Sequence, residues 1–249
     1  MIRRTLPVLG SPIDCIDAPD AIQRISTWAA ARESRVVFIC NAHSVVTAQQ
    51  DAAFRAALAQ ADLATPDGWP VAWMLRRLGA RGQARLSGPD LMLDYCEQAA
   101  RSGESIFLLG STPQTLQALQ GNLLQRWPAL RIAGAMSPPF RPLSTAEDEA
   151  IVQRINASGA GTVWVSLGCP KQELWMADHR GRVQAVMLGV GAAFDFHAGT
   201  VARAPTWMRK NGLEWLHRLG SEPKRLWKRY LYTNSAFVMG AARQLASRK

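Results

Sequence analysis

The chain of 249 residues has little of what builds disulfide frameworks and membrane spans. Its cysteines stand singly, with no CxxC pair and no cluster with histidine, at Cys15, Cys40, Cys96 and Cys169. This pattern favours reduced thiols in a cytosolic compartment over a disulfide scaffold or a zinc site. No run approaches eighteen apolar residues, and the first twenty residues lack the apolar stretch of a secretory signal. We therefore expect any membrane contact to be peripheral.

Familiar metal and hydrolase motifs are also missing. The sequence contains no Asp-x-Asp pair, no Gly-x-Ser-x-Gly and no His-Glu-x-x-His. His43 and His197 stand alone and suit structural or turn positions better than ligand positions. The sequence therefore predicts neither a bound metal nor a cofactor.

Acidic residues are scarce after Gly199. Residues 199–249 hold 11 Lys and Arg against two Glu, which accounts for nearly all of the formal net charge of +10. Aromatic side chains are interleaved with these cations, at Trp207, Trp215, Trp227, Tyr230, Tyr232 and Phe237. Such a mixture suits an anionic membrane surface and also suits stacking on single-stranded nucleic acid. A solvated helix face with ordinary core tryptophans is the third interpretation; we favour the membrane and expect no nucleic-acid partner.

Short apolar runs alternate with helix-like segments in the first 200 residues. The runs lie at 35–40, 61–65, 104–109, 131–135, 162–167 and 185–190, and a helix is expected over 44–60. This alternation predicts an α/β fold, with a Rossmann-like, mostly parallel sheet flanked by helices. We expect residues 1–200 to form this core and residues 201–249 a helical, basic appendage. Ligands of such sheets bind beyond the carboxyl ends of the strands.

The first turn with chemical content is Thr65-Pro-Asp-Gly-Trp-Pro. Pro66 keeps its predecessor extended, Gly68 permits a tight bend, and Pro70 suits the first turn of a helix. Asp67 is thereby expected at a strand–helix junction that faces the ligand crevice. A carboxylate there can accept a proton from an attacking hydroxyl. The alternative is a turn or capping role, since Pro-Asp-Gly is a common turn.

Two later turns carry weaker signals. Leu109-Gly-Ser-Thr-Pro is typical of a strand-to-helix anion site but lacks the full GxGxxG and the Walker lysine. Gly168-Cys-Pro-Lys-Gln-Glu is expected to open a helix, with Lys171 suited to a diphosphate and Gln172 to a sugar or base edge. An ordinary turn and a plain surface helix start remain the respective alternatives.

Seven segments together resemble one family, the WecG/TagA/CpsF glycosyltransferases (glycosyltransferase family 26). They are TPDG (65–68), RLSGPDLM (85–92), FLLGS (107–111), SLGCPKQE (166–173), GVGAAFDFHAG (189–199), RAPTWM (203–208) and GLEWLHRLGSEPKRLWKRY (212–230). The resemblance covers most of the chain, and the last segment is the most specific. The family includes xanthan-type glucosyltransferases such as GumM, and the resemblance leaves such a role open.

The resemblance implies an inverting transferase with a Rossmann-like core and a C-terminal membrane-binding appendage. Such an enzyme moves a sugar from a UDP-sugar donor to a polyprenyl-pyrophosphate-linked saccharide acceptor. The implied place is the cytoplasmic face of the bacterial inner membrane, and the implied process is cell-surface or exopolysaccharide synthesis. Since no acidic metal clamp is present, arginines are expected to stabilise the departing UDP.

The resemblance also implies roles for individual residues. Asp67 stands at the position of the general base, and Gln172 lies in the donor-pocket motif. Arg218, Arg225 and Arg229 would close over the diphosphate and meet lipid phosphates. Their spacing of seven and four allows one shared helical face, although the intervening Gly-Ser-Glu-Pro leaves this open. The full set of candidate substrate-binding residues is Asn41, Gly110, Ser111, Lys171, Gln172, Glu173, Asp195, Arg203, Arg218, Arg225 and Arg229.

One departure from the family pattern precedes Asn41. The family commonly has threonine there, and this chain has Cys40, so a hydrogen bond from that hydroxyl to substrate is in doubt.

Two other functions stay open at this point. A non-enzymatic basic module for anionic lipid or nucleic acid would leave Asp67 dispensable. A dehydrogenase or methyltransferase is disfavoured by the missing GxGxxG. The sequence does not identify the transferred sugar, and glucose, N-acetylmannosamine and its uronic acid all stay open. It also leaves open the acceptor sugar and the oligomeric state, a homo-oligomer included.

Overall fold

The computed structural model describes residues 3–247, except for the side chain of Arg225. The strands are β1 (Thr5–Val8), β2 (Ser11–Asp14), β3 (Arg35–Cys40), β4 (Leu63–Pro66), β5 (Ser105–Gly110), β6 (Arg131–Met136), β7 (Thr162–Ser166) and β8 (Val186–Gly189). The helices of the core are α1 (Ala18–Ala30), α2 (Ala42–Gln50), α3 (Ala52–Ala59), α4 (Gly68–Arg77), α5 (Gly88–Ser102), α6 (Pro113–Arg126), α7 (Thr145–Ser158), α8 (Lys171–Asp178) and α9 (Ala193–Ala198). Three helices follow: α10 (Thr206–Lys210), α11 (Glu214–Ser221) and α12 (Pro223–Ala246).

Strands β3 to β8 form one parallel sheet in the order β4-β3-β8-β7-β5-β6. All six apolar runs of the sequence are strands of this sheet, so the predicted α/β class is confirmed. Because the strands are parallel, the turns after β3, β4, β5, β7 and β8 lie along one edge of the sheet. That carboxyl edge is where doubly wound sheets bind ligands.

Helices cover both faces of the sheet. On β3, Val36, Phe38 and Cys40 lie in one apolar cluster, while Val37 and Ile39 lie in the other. Because successive side chains of a strand point to opposite faces, a continuous apolar run is what a strand buried on both sides requires. The run over 35–40 therefore fits a central strand.

The helix predicted over 44–60 is two helices. The chain breaks at Asp51, whose backbone is extended at φ −107° and ψ 111°. The side chain of Asp51 accepts a hydrogen bond from the Phe54 amide at 3.0 Å, and so caps α3. Aspartate is a preferred N-cap residue because its oxygen satisfies an otherwise unpaired amide. A capping box of Ser144 and Glu147 starts α7.

A two-stranded antiparallel hairpin, β1 and β2, precedes the sheet and was not predicted. Its last residue, Asp14, is buried, and its Oδ2 accepts a hydrogen bond from the Ala64 amide at 2.7 Å. Arg3 donates to the same carboxylate. These bonds attach the hairpin to β4, the strand that leads to Asp67.

The long helix α12 packs onto the core with its second half. Phe237 and Ala241 are 4% exposed and belong to the apolar cluster that contains Phe38. The Gln244 side chain accepts a hydrogen bond from the Leu9 amide at 2.9 Å. The basic C-terminal segment is therefore joined to the core at its far end.

Candidate active site

Asp67 lies at the junction of β4 and α4, as the sequence predicts. Its amide donates to the carbonyl of Cys40 at 2.9 Å, and Gly68 adopts φ +75° to turn the chain into the helix. The Asp67 side chain makes no capping hydrogen bond to α4. Asp67 therefore stands at the N-cap position without a capping hydrogen bond, and the alternative of a turn residue stays open.

The environment of Asp67 disfavours its charged form. Burial, and then the nearby carboxylate of Glu214, raise the pKa of Asp67 from 3.8 to about 6, while Arg85 and the Gly68 amide oppose the rise. A carboxylate with this pKa is a stronger base than an ordinary aspartate and is still ionised at neutral pH. Such a pKa suits a general base, and this role of Asp67 stays a prediction.

A cluster of five charged side chains joins the C-terminal segment to the core beside Asp67. Arg203 lies 2.6 Å from Asp90 and 3.5 Å from Glu214, and Arg85 lies 3.0 Å from Glu214. Arg209 lies 3.4 Å from Asp90. Asp90 and Arg85 come from the segment that opens α5, whereas the other three come from residues 203–214. We call this set the junction cluster.

Sequence reasoning missed Arg85 and Glu214 as members of the site. Both lie inside segments quoted for the family resemblance. Their position in those segments was the signal that could have identified them as site residues. Their 129-residue separation hides the pairing. Arg203, a predicted substrate-binding residue, pairs with acidic side chains here, and its contact with substrate stays a prediction.

At the end of β3, Asn41 caps α2. Its Oδ1 accepts hydrogen bonds from the amides of His43 and Ser44, at 2.9 Å and 3.2 Å. The neighbouring thiol of Cys40 is buried, and burial raises its pKa. A substrate contact of Asn41 stays a prediction, with its carbonyl oxygen already used in the cap.

The turn after β5 offers few donors to a phosphate. Gly110 has φ +119°, and a Cβ there would lie 2.3 Å from the Ser166 carbonyl oxygen. The Ser111 amide donates to the same oxygen at 3.1 Å. Thr112 caps α6, and Pro113 has no amide hydrogen. Anion binding by Gly110 and Ser111 stays a prediction, and this geometry gives it little support.

The segment Lys171–Glu173 opens α8, as predicted. Lys171 is exposed, whereas Gln172 and Glu173 are buried. Gln172 accepts from the Gly168 amide at 3.2 Å and donates to Glu173 Oε1 at 2.8 Å. A Cβ on Gly189, the last residue of β8, would lie 3.0 Å from the Gln172 amide nitrogen. The glutamine is therefore fixed in place beneath the carboxyl edge.

Glu173 combines burial with an unpaired oxygen. Its Oε2 has no hydrogen-bond partner among the described residues, and burial raises the pKa of its carboxyl group. Asp195 lies in the first turn of α9, and its contact with substrate stays a prediction. Its carbonyl accepts hydrogen bonds from Thr200 and Val201 and ends α9.

The predicted arginine triad does not share one helix. Arg218 lies in α11 and its guanidinium is 5.5 Å from the Phe196 ring, while Arg225 and Arg229 lie in α12. The Nε atoms of Arg218 and Arg229 are buried and have no hydrogen-bond partner within the described part of the chain. The Arg225 side chain lies outside the described atoms, so its prediction is untested.

Among residues 3–247, no helix is long and apolar enough to cross a bilayer. No group of three or more His, Cys, Asp or Glu residues in that range is arranged to hold a metal ion.

The C-terminal segment, the junction cluster and Asp67 thus meet at the carboxyl edge of a parallel sheet. One family model, described as "Glycosyl transferase WecG/TagA/CpsF family", matches residues 6–249. The match extends over the core and the C-terminal helices alike, and the chain belongs to this family of glycosyltransferases.

Proposed function

We propose that the protein is an inverting glycosyltransferase with Asp67 as its general base. The family transfers sugars in the synthesis of cell-surface polymers. The proposed donor is a UDP-sugar, and the proposed acceptor is a saccharide linked to polyprenyl pyrophosphate. The observation that carries this proposal is the Asp67 carboxylate, which is not used as a cap and whose pKa is raised to about 6.

The proposed reaction is a single displacement at the anomeric carbon of the donor. The acceptor hydroxyl gives its proton to Asp67 while its oxygen attacks that carbon from the side opposite UDP. The bond from the carbon to the UDP oxygen breaks, and UDP takes the bonding electrons. Attack from the opposite side inverts the anomeric configuration. A base near its working pKa assists this proton transfer.

The negative charge that develops on UDP needs fixed positive partners. Arg218 and Arg229 are suited to this role because their Nε atoms are buried without a hydrogen-bond partner among the described residues. An arginine fork matches phosphate oxygens, and pre-placed cations stabilise charge that appears in the transition state. We assign the same role to Arg225 and, through rearrangement of its ion pairs, to Arg203.

An exposed apolar stripe on α12 supports the membrane part of the proposal. Trp227, Leu231 and Val238 are 49%, 64% and 65% exposed, and their spacing of four and seven puts them on one helical face. Lys224 and Lys228 lie beside this stripe in the sequence. Aromatic and aliphatic side chains next to lysines suit the headgroup region of an anionic bilayer. We place this surface against the cytoplasmic face of the bacterial inner membrane.

Replacing Asp67 with asparagine tests the proposal directly. Asp67→Asn keeps the shape of the side chain but cannot accept the proton, so we expect kcat to fall by a factor of about 100 or more. The exposed residue Asp178 supplies the matched control, and Asp178→Asn is expected to retain wild-type turnover. Wild-type turnover in Asp67→Asn would remove the base from this account and leave a turn residue.

A further inference from the structure

Helix α4 carries an aromatic and basic strip that begins next to Asp67. The rings of Trp69 and Trp73 stack with centroids 6.0 Å apart and an interplanar angle of 18°. The guanidinium of Arg76 lies 5.9 Å from the centre of the Trp69 ring, and that of Arg77 lies 5.5 Å from the Trp73 ring. We call these four side chains the α4 strip.

The α4 strip starts where the C-terminal segment meets the core. Trp69 is two residues after Asp67, and a Cβ on Gly212 would lie 2.9 Å from its Cβ. Gly212 is two residues before Glu214, whose carboxylate helps to raise the pKa of Asp67. Trp69 therefore lies where α4 meets the C-terminal segment, two positions after Asp67 along the chain.

The α4 strip exposes aromatic surface and cationic groups to solvent. Trp69 is 46% exposed, so much of its indole faces solvent although it belongs to a core helix. Arg76 and Arg77 form no ion pair within residues 3–247, and Arg76 donates only to the carbonyl of Gln83 among the hydrogen bonds found there. The solvent-exposed part of an indole suits the apolar face of a sugar ring, and arginines suit diphosphate oxygens.

The length of the strip matches a sugar joined to a diphosphate. At a rise of 1.5 Å per residue, Arg76 and Arg77 are about 13–15 Å along the helix from Asp67. Helical side chains lean toward the N-terminus, which brings their guanidinium groups back over Trp69 and Trp73. The gap between base and cations is thus on the order of 10 Å, the span of one sugar and its diphosphate.

We propose that the α4 strip is the binding subsite for the diphosphate-linked sugar of the acceptor. The sugar stacks on Trp69 with a hydroxyl at Asp67, and its diphosphate lies against Arg76 and Arg77. The lipid chain then leaves the site past the end of α4. This inference rests on the proposed function and assigns one of its two substrates to named residues.

Calorimetric titration with a water-soluble, short-chain prenyl-diphosphate sugar tests the assignment. We expect Arg77→Gln and Trp69→Leu to weaken acceptor binding at least tenfold and to leave UDP binding within twofold. Arg77→Gln should also reduce the preference for this acceptor over the matching prenyl-monophosphate sugar. Arg126→Gln is the matched control, since Arg126 lies 4.5 Å from the Trp127 ring in another part of the fold. It should bind like the wild type.

The outcomes separate this subsite from the proposed function. Unchanged acceptor affinity in both variants, or no acceptor binding by the wild type, would overturn the subsite. Weaker binding of Arg77→Gln and Trp69→Leu to acceptor-free anionic vesicles, with unchanged binding of the soluble acceptor, would make the strip a membrane contact instead. Acceptor binding that depends on the strip, without sugar transfer from any donor, would support the subsite and contradict the transferase. Arg77 is exposed, so its variant is readable even if Trp69→Leu disturbs the contact with Gly212.

Discussion

Asp67 shows how the chain obtains a base from an ordinary residue type. An aspartate in water has a weakly basic carboxylate. Partial burial and the negative charge of Glu214 raise the pKa of Asp67 and make its carboxylate more basic. The turn residues that place it, Pro66 and Gly68, could be read from the sequence. Its raised pKa could not, because Glu214 is 147 positions later along the chain.

The raised pKa of Asp67 predicts a cost in stability. The pKa is about 6 in the folded protein against 3.8 for the free side chain, so the stabilising contribution of Asp67 is complete below pH 3.8 and is lost as the pH rises through 6. Asp67→Asn removes the charge that folding disfavours. We expect it to be more stable than the wild type at pH 8, by roughly 1–3 kcal/mol, with little difference near pH 4.

Urea unfolding at the two pH values measures this difference. Asp178→Asn, which changes an exposed carboxylate, should show no such pH-dependent gain. A loss of stability in Asp67→Asn at pH 8 would mean that the carboxylate is held for structure and not for chemistry. Residues kept for function commonly lower the stability of the fold, so replacing them commonly raises it.

At the scale of elements, the junction cluster connects α10 and α11 to the start of α5. We predict that Glu214→Gln lowers the pKa of Asp67, because it removes a negative charge that raises it. The acid limb of kcat/KM, expected near pH 6 in the wild type, should move to lower pH. A pH–rate profile measures the shift. The control is Glu97→Gln, which alters an exposed ion pair on α5 and should leave the acid limb in place. An unshifted acid limb in Glu214→Gln would exclude the electrostatic role of Glu214.

The second half of α12 is predicted to behave as part of the core. Phe237 is 4% exposed, so Phe237→Ala should lower the free energy of unfolding by about 3–5 kcal/mol. The adjacent Val238 is 65% exposed, and Val238→Ala should change the free energy of unfolding by about 0.5 kcal/mol or less. Denaturant unfolding compares the two. Equal, small effects would mean that α12 is a detachable appendage, as the division at residue 200 suggests.

The elements that the sequence predicted are those with a local signal. All six strands of the parallel sheet could be placed because a doubly buried strand needs an uninterrupted apolar run, as in 35–40. The hairpin β1–β2 was missed because each strand has four residues and a proline, Pro7 or Pro12, which weakens the pattern. The break at Asp51 had a cap signal that the helical pattern over 44–60 obscured. The strand order depends on contacts between distant segments, which periodicity does not encode.

At the scale of the whole molecule, charge and exposed apolar surface are concentrated in the C-terminal helices. We predict that a double variant, Trp227→Ser with Leu231→Ser, floats poorly with vesicles that contain anionic lipid, because it removes two of the three side chains in the apolar stripe of α12. Wild-type binding should weaken as salt is raised, since Lys and Arg supply the attraction. Phe140→Ser is the control because Phe140 is 84% exposed and lies in a loop of the core. Equal flotation of all three proteins would contradict the membrane surface.

The composition of the tail pointed to this surface, while the site itself required the folded chain. Arg218, Arg225 and Arg229 were predicted by resemblance, and the structure divides them between α11 and α12. Arg85 and Glu214 became visible only once the two ends of the chain were brought together. The site therefore depends on long-range packing that the order of residues alone does not show.

A transfer assay tests the central claim most directly. Purified protein is incubated with a short-chain prenyl-diphosphate-linked sugar and a panel of UDP-sugars, with and without EDTA, beside Asp67→Asn and Asp178→Asn. The account predicts transfer from one donor with inverted anomeric configuration, retained in EDTA and in Asp178→Asn, and lost in Asp67→Asn. No transfer from any donor, together with no binding of UDP, would contradict it and favour a basic lipid-binding module.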